Sequence, residues 1–201
     1  MQNVKILKIL LIASLSSLFS CWDGTLDVWK DGFYIFNWNI NKTSGEIIFN
    51  LDVATSGWVG IGLSKDGSMS NSDIIMGYID KRGMPQVSDR FASGRNVPPQ
   101  DTEQGGTDDL KNIKGTFTNK RTNITFSRKF DTGDKKDLPV VLGQKTNLLF
   151  SVGEEGNPST ENGVWRQHTK RISIPITFSA GGSSSLPNNT SVNLTTPSAR
   201  S

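Results

Sequence analysis

The chain has 201 residues, a length that suits one domain with a sizeable core and is short for two. Its formal net charge is +3, and it has no basic stripe with interleaved aromatic side chains, which argues against nucleic-acid binding. One histidine and one cysteine exclude a zinc or copper site built on several imidazoles, and also an internal disulfide bond.

The first twenty residues have the pattern of a secretory signal. Lys5 and Lys8 precede an apolar run from Ile9 to Phe19 that is too short to span a bilayer as a mature helix. We therefore assign residues 1–20 to a signal peptide and expect a secreted, extracellular or cell-surface protein. The residues that end at Cys21 loosely match a bacterial lipoprotein box, so a membrane tether through an acylated Cys21 is an alternative to free secretion.

The following residues are patterned as short strands. An Asp31-Gly32 step between the apolar segments at Leu26–Val28 and 33–38 is typical of a hairpin turn. Helical periodicity of useful length is absent after the signal segment. The further predicted strands are 46–53, 57–63, 73–80, 86–91, 114–118, 123–130, 147–153 and 171–178. This spacing predicts an all-β fold, a sandwich of two antiparallel sheets that occupies residues 21–179.

Two other segments differ in composition from the predicted strands. Residues 92–109 are rich in Pro, Gly and Asp and are predicted to form a surface loop at the rim of a site. Residues 180–201 consist largely of Gly, Ser, Thr, Asn and Pro, which predicts a flexible tail. In a secreted eukaryotic protein, N-glycosylation acceptors would be Asn41, Asn123, Asn188 and Asn193.

Most kinds of catalytic site are excluded by the residues present. No serine lies in a nucleophile elbow. The sequence also lacks a Walker loop, a dinucleotide-binding fingerprint and the Cys-x-x-Cys-His motif that attaches haem covalently. The chain therefore lacks a catalytic constellation, and we do not predict an enzyme. A site with two different ligands remains, because haem iron can be held by one histidine and one methionine.

His168 is the only histidine, and three methionines compete for the second position. Met76 lies within a predicted strand, where core packing is its ordinary role. Met84 lies in a polar turn before Pro85. Met69 lies in a small polar loop, where an apolar side chain needs a reason to be present.

A series of motifs occurs in a fixed order along the predicted domain. The motifs are Gly57-Trp58-Val59-Gly60-Ile61-Gly62-Leu63-Ser64, Met69, Ser72-Asp73-Ile74-Ile75-Met76-Gly77, Val87-Ser88-Asp89-Arg90-Phe91, Phe126-Ser127-Arg128-Lys129-Phe130-Asp131-Thr132-Gly133-Asp134 and His168-Thr169-Lys170-Arg171. This series resembles the DOMON domain, the family found in dopamine β-hydroxylase, in the cytochrome domain of cellobiose dehydrogenase and ahead of transmembrane ferric-reductase-type cytochromes. The resemblance covers residues 22–178 and implies an Ig-like β-sandwich with a ligand pocket between or beside its sheets.

In the haem-binding branch of this family, a methionine after the Gly-Trp strand and a late histidine ligate a non-covalent b-type haem. Met69 and His168 match those positions, so the resemblance implies Met/His axial ligation. Arg171 or Arg90 could pair with a haem propionate. Candidates for the apolar walls are Trp58, Ile61, Ile75 and Phe150, although packing in the sandwich core is the ordinary role of such residues. The carboxylates of Asp73 and Asp89 are expected at turns and strand ends.

The function implied by the resemblance is single-electron transfer between an unidentified redox donor and acceptor. An alternative is a haem-free DOMON module that binds a carbohydrate or another small ligand, with Trp58 and Trp165 as stacking surfaces. A third interpretation is an adhesive surface domain.

Overall fold

The computed structural model describes residues 22–156 and 165–180. The predicted signal peptide, Cys21, nearly all of the predicted tail and the acceptors Asn188 and Asn193 lie outside the described residues. Within the described ranges, no helix is long and apolar enough to cross a membrane.

The structure consists of ten strands and one short 3-10 turn at Asp101–Gln104. The strands are β1 (Gly24–Asp27), β2 (Tyr34–Asn41), β3 (Glu46–Val53), β4 (Val59–Ser64), β5 (Ser72–Ile79), β6 (Pro85–Ala92), β7 (Lys111–Thr118), β8 (Arg121–Lys129), β9 (Lys145–Val152) and β10 (Lys170–Thr177). They form two antiparallel sheets, with the orders β1-β2-β3-β8-β7 and β10-β9-β4-β5-β6. The predicted all-β, Ig-like sandwich is confirmed.

The core between the sheets follows from the period-two alternation of the strands. Tyr34, Phe36 and Trp38 of β2 all point inward and are buried. The rings of Tyr34 and Phe36 lie 5.4 and 5.5 Å from the ring of Phe150, which belongs to the opposite sheet. The hydroxyl of Tyr34 donates a hydrogen bond of 3.1 Å to the carbonyl of Gly60, so this buried polar group is also satisfied across the sandwich.

The two sheets differ in their outer faces. The outer face of the first sheet carries a polar ladder, in which Asn37 donates to Asn50 at 3.0 Å and Asn50 donates to Thr125 at 2.9 Å. In the second sheet, by contrast, all six residues of β4 and the first six of β5 are buried. The second sheet therefore buries side chains on both faces.

One buried ion pair joins the sheets. The guanidinium of Arg128, on β8, donates to Asp73 on β5 at 2.7 Å, and both side chains are fully buried. A second carboxylate, Asp137, lies 2.9 Å from the other terminal nitrogen of Arg128. Burial alone would lower the pKa of Arg128, but Asp73 and Asp137 outweigh it and raise the pKa, so the residue stays charged.

We expect Arg128→Ala to lower the free energy of unfolding by about 3–5 kcal/mol, because it leaves buried carboxylates without their cation. The measurement is urea unfolding at neutral pH, followed by tryptophan fluorescence. Lys129→Ala is the matched control, since Lys129 is half-exposed and 3.8 Å from Glu46, and should cost no more than about 1 kcal/mol. Equal losses in the two variants would contradict a special role for the buried pair.

Candidate functional site

A second apolar cluster lies on the outer face of the second sheet. We call it the outer cluster. Its buried members are Trp58, Ile74, Met76 and Ala92, and Met69, Tyr78, Leu149 and Trp165 pack against it as partly buried residues. Soluble sandwiches normally present polar residues on this side of a sheet, so an apolar outer face is a candidate site for a ligand.

The strand register places this face in two rows that cross the whole sheet. One row runs Arg171–Ser151–Gly60–Met76–Ser88, and the next runs Ser173–Leu149–Gly62–Ile74–Arg90. Paired residues of neighbouring antiparallel strands point to the same face. On the three inner strands the face therefore carries apolar residues, two glycines and Ser151, and one arginine lies at each of two opposite edges.

Two glycines form the floor of this face, because β4 carries no side chain at its outward positions 60 and 62. A Cβ atom at Gly60 would lie 2.5 Å from Oγ of Ser151, and one at Gly62 would lie 2.5 Å from Cδ1 of Ile74. The side chains of Ser151 and Ile74 thus occupy the space beside β4 that larger residues at positions 60 and 62 would need. At these positions β4 itself contributes only backbone to the outer face.

Met69 lies in the loop between β4 and β5, and a small hydrogen-bonded network fixes that loop. Oγ of Ser64 donates to the carbonyl of Ser68 at 2.8 Å, and Oγ of Ser72 donates to the same carbonyl at 2.7 Å. The backbone N–H of Ser68 donates to Asp66 at 2.8 Å. These bonds hold the polar loop residues on both sides of Met69, whose side chain packs against the outer cluster.

His168 lies in the short segment 165–168 that leads into β10. The indole Nε1 of Trp58 donates to the carbonyl of Arg166 at 3.2 Å, and the N–H of Thr169 donates to the carbonyl of Val152 at 2.8 Å. The ring of Trp165 packs edge-on against Trp58, with 5.9 Å between ring centroids. The segment that carries His168 is therefore attached to the same face as Met69.

Burial and charge both act on the imidazole of His168. Its pKa is lowered, first by partial burial and second by the positive charge of Arg171. The ring is therefore neutral near neutral pH, and a neutral imidazole is the form that ligates a metal.

The two arginines at the edges of the face have different environments. Arg171 is exposed on β10. Arg90 is buried, donates to Ser88 and to the carbonyl of Pro98 at 2.6 Å each, and lies 5.0 Å above the ring of Trp165. Arg90 thus supports the indole of Trp165, whereas Arg171 presents a guanidinium to solvent beside His168.

Comparison with known families agrees with this architecture. The DOMON domain family model matches residues 30–153, which is more than half of the chain. The chain belongs to the DOMON domain family.

Relatives of this DOMON domain occur in larger proteins. MOXD1 homolog 1 of Drosophila melanogaster is 29% identical over 151 residues, which cover 74% of this chain and 21% of that protein. Human DBH-like monooxygenase protein 1 is 30% identical over 111 residues, which cover 55% of this chain and 17% of that protein. The chain thus spans about a fifth of the length of the curated relatives it matches.

Two solved structures share the fold of this DOMON domain. One is the cytochrome b domain of pyranose dehydrogenase from Coprinopsis cinerea, with a TM-score of 0.56, 19% identity, and coverage of 75% of this chain and 79% of that one. The other is the cytochrome domain of cellobiose dehydrogenase from Myriococcum thermophilum, with a TM-score of 0.53, 20% identity, and coverage of 71% and 73%.

The predicted apolar walls of the DOMON site need correction. Trp58 belongs to the outer cluster as expected, but Ile61, Ile75 and Phe150 lie in the core between the sheets. The outward positions are those one residue before each of these three. Ile74 and Leu149 carry apolar side chains there, whereas Gly60 carries none. Ile74 and Leu149 are the wall residues that the sequence interpretation missed, because β5 and β9 carry apolar runs that show no alternation around these positions.

Two further expectations are revised by the structure. Met76, interpreted from the sequence as core filler, is buried in the outer cluster on the face that also contacts Met69. Asp89, expected at a turn or strand end, lies in the middle of β6, whereas Asp73 is the second residue of β5 and thus lies near a strand end as expected; both are buried. The positions of the other candidates are as described above: Met69 and Trp58 share one cluster, and His168 and Arg171 adjoin it.

The packing of Trp58 depends on a glycine behind it. A Cβ atom at Gly153 would overlap the Trp58 indole, whereas one at Gly94 would meet nothing within 4 Å. We expect Gly153→Ala to destabilise the domain by about 1–3 kcal/mol through overpacking and to change the tryptophan emission spectrum. Gly94→Ala is the control and should change stability by less than about 1 kcal/mol. Matching stabilities and spectra would refute this packing of Trp58.

Proposed function

We propose that this DOMON domain binds one b-type haem non-covalently against the outer face of its second sheet and transfers single electrons. In this proposal Met69 and His168 are the axial ligands. The observation that carries it is the outer cluster, an apolar face that includes Met69 and to which the His168 segment is attached.

The chemistry of the face suits a porphyrin. The ring is a flat apolar body, and the side chains of Ile74, Leu149 and Met76 on the outer face offer apolar contacts to it. The propionates are anionic, and Arg171 is exposed at the edge of the face, so charge-assisted hydrogen bonds to a propionate are available there.

The donor set is also suitable for haem iron. The lowered pKa of His168 keeps the imidazole neutral and able to ligate, and the loop network around Met69 orients a soft thioether. Bound haem would supply reversible one-electron chemistry, and a Met/His pair leaves no open position on iron, which favours electron transfer over oxygen chemistry. Trp58 and Trp165 would restrict water at the ring edge.

The comparisons support the proposal in a limited way. The two structural neighbours are a cytochrome b domain and a cytochrome domain by their descriptions, and at 19% and 20% identity the likeness establishes the fold alone. We further propose that the protein acts outside the cytoplasm, on the basis of the signal pattern in residues 1–20, and that its partner is an unidentified redox protein or domain.

A second candidate function is a haem-free module that binds a carbohydrate or another small ligand. The observation that favours it is the aromatic group of Trp58, Trp165 and Tyr78, in which Trp165 contacts both other rings at 5.9 and 5.5 Å. Trp58 is buried, whereas Trp165 and Tyr78 are only partly buried, so these two rings are available to stack on a ligand with an apolar face.

The test is reconstitution of the purified protein with haemin. We expect a Soret band at one haem per chain and, after reduction with dithionite, the sharp α and β bands of low-spin, six-coordinate haem. His168→Ala should abolish these bands, because the iron loses its imidazole. Met69→Leu should convert the spectrum to a high-spin form, and Met69→His should restore the low-spin form at a lower midpoint potential.

Met84→Leu is the control variant, since Met84 is 55% exposed in the β5–β6 turn and should leave the spectrum unchanged. A folded protein that stays colourless would refute the haem proposal, and sugar-dependent quenching of tryptophan fluorescence in that protein would then support the second candidate. An unaltered spectrum in Met69→Leu would refute the ligand pair.

A further inference from the structure

Four buried aspartates form a cluster that includes the two carboxylate partners of the buried Arg128. We call them the aspartate cluster, and they are Asp73 on β5, Asp89 on β6, Asp101 in the 3-10 turn and Asp137 between β8 and β9. Their exposed fractions are 0%, 2%, 0% and 8%. Buried carboxylates are rare unless they are paired or bind a metal.

The charges in this cluster do not balance. Arg128 pairs with Asp73 at 2.7 Å and with Asp137 at 2.9 Å. Full ionisation of the four carboxylates against one guanidinium leaves an excess of three negative charges. Such an excess inside a protein is costly unless protons or a cation neutralise it.

Several carboxylate oxygens of the cluster also lack hydrogen-bond donors among the described residues. Oδ2 of Asp73 accepts from Leu138 N–H at 2.9 Å and Oδ2 of Asp89 accepts from Asp109 N–H at 3.2 Å, but Oδ1 of each has no donor. Asp101 is the strongest case, because its side chain is fully buried and the polar group beside it is another carboxyl, that of Asp137. Buried carboxylate oxygens of this kind need a proton, a water molecule or a cation to satisfy them.

The spacing of the oxygens matches a single cation. One carboxylate oxygen each from Asp73, Asp89 and Asp137 lies within 4.8 Å of the other two. Oxygen ligands on opposite sides of Ca²⁺ are about 5 Å apart, because each Ca–O distance is about 2.3–2.6 Å. All three residues can therefore contact one ion.

Asp101 adjoins the same three carboxylates, because its carboxyl group lies within hydrogen-bond reach of the carboxyl group of Asp137. Burial raises the pKa of Asp101 first, and the charges of Asp137 and Asp73 raise it further, to about 7. The pKa of Asp89 is raised to about 8 by burial and then by Asp137 and Asp73. A cation among these groups would remove the mutual repulsion that these shifts reflect.

We propose that Asp73, Asp89 and Asp137, together with Asp101, bind one Ca²⁺ ion. Ligands that are all oxygen suit Ca²⁺, Mg²⁺ or Mn²⁺, and no histidine or cysteine belongs to the group. Ca²⁺ is favoured because it accepts irregular, many-oxygen cages, whereas Mg²⁺ usually keeps several waters, for which a fully buried site has little room. The bound ion would join β5, β6, the 3-10 turn and the β8–β9 connection.

The test uses the haem-free protein, so its outcome does not depend on the proposed function. Protein stripped with EDTA and then desalted is titrated with CaCl₂, and bound calcium is measured by equilibrium dialysis. We expect about one Ca²⁺ per chain. We also expect the melting temperature to rise by about 5–10 °C at a hundredfold excess of Ca²⁺ over its dissociation constant.

The decisive variants are Asp89→Asn and Asp101→Asn, which keep the side-chain shape and remove one charge. Each should weaken Ca²⁺ binding at least tenfold, yet in EDTA each should melt no lower than the unsubstituted protein, because a buried negative charge has been removed. Asp108→Asn is the matched control, because Asp108 is an exposed aspartate in the β6–β7 connection, which also contains Asp101. This substitution should leave Ca²⁺ binding unchanged.

Two results would overturn the proposal. Stoichiometry near zero with no Ca²⁺-dependent rise in melting temperature would mean that the carboxyl groups are neutralised by protons instead. An equal or larger rise with MgCl₂ at the same concentration would refute the assignment to Ca²⁺.

Discussion

The rest of the structure depends on the burial of the second sheet on both faces. In β4, the inward residues Val59, Ile61 and Leu63 complete the core, while the outward positions 60 and 62 are glycines. In β5 an uninterrupted apolar run makes both faces apolar. Because an apolar outer face is unfavourable against water, other residues must cover it, and the sequence supplies two tryptophans, a tyrosine and Met69 for that purpose.

This requirement explains where the candidate ligands lie. Met69 packs against the face, and hydrogen bonds among Ser64, Ser68 and Ser72 hold the loop that carries it. The segment that carries His168 is attached to the same face, because the carbonyl of Arg166 accepts a hydrogen bond from the indole of Trp58. Hydrogen bonds to backbone groups thus hold the chain on which each candidate lies. Coordinating side chains on a rigid backbone need little reorganisation when the bound group enters or changes its charge.

Much of the fold could be predicted from the sequence, because alternation and turn residues are local signals. The sequence could not show which strand residues point to the core and which point outward. A run such as Ile74-Ile75-Met76 is apolar on both sides, so an error of one residue exchanges the two faces. Ile75 was therefore assigned to the site in place of Ile74. The aspartate cluster was also beyond sequence reasoning, because its members come from four separate segments that only the topology of the sandwich brings together.

The outer face and the aspartate cluster are two sides of the same strands. Asp73 precedes Ile74 on β5, and Asp89 precedes Arg90 on β6, so each strand presents one residue to the cluster and the next to the face. An ion that fixes Asp73 and Asp89 inside the sandwich therefore also fixes the backbone that carries Ile74 and Arg90 outside it. If each proposed ligand favours the same backbone arrangement, linkage requires that each tightens the binding of the other by the same factor. Under that condition the two sites would be coupled through the β5–β6 pair, without any contact between the ligands themselves.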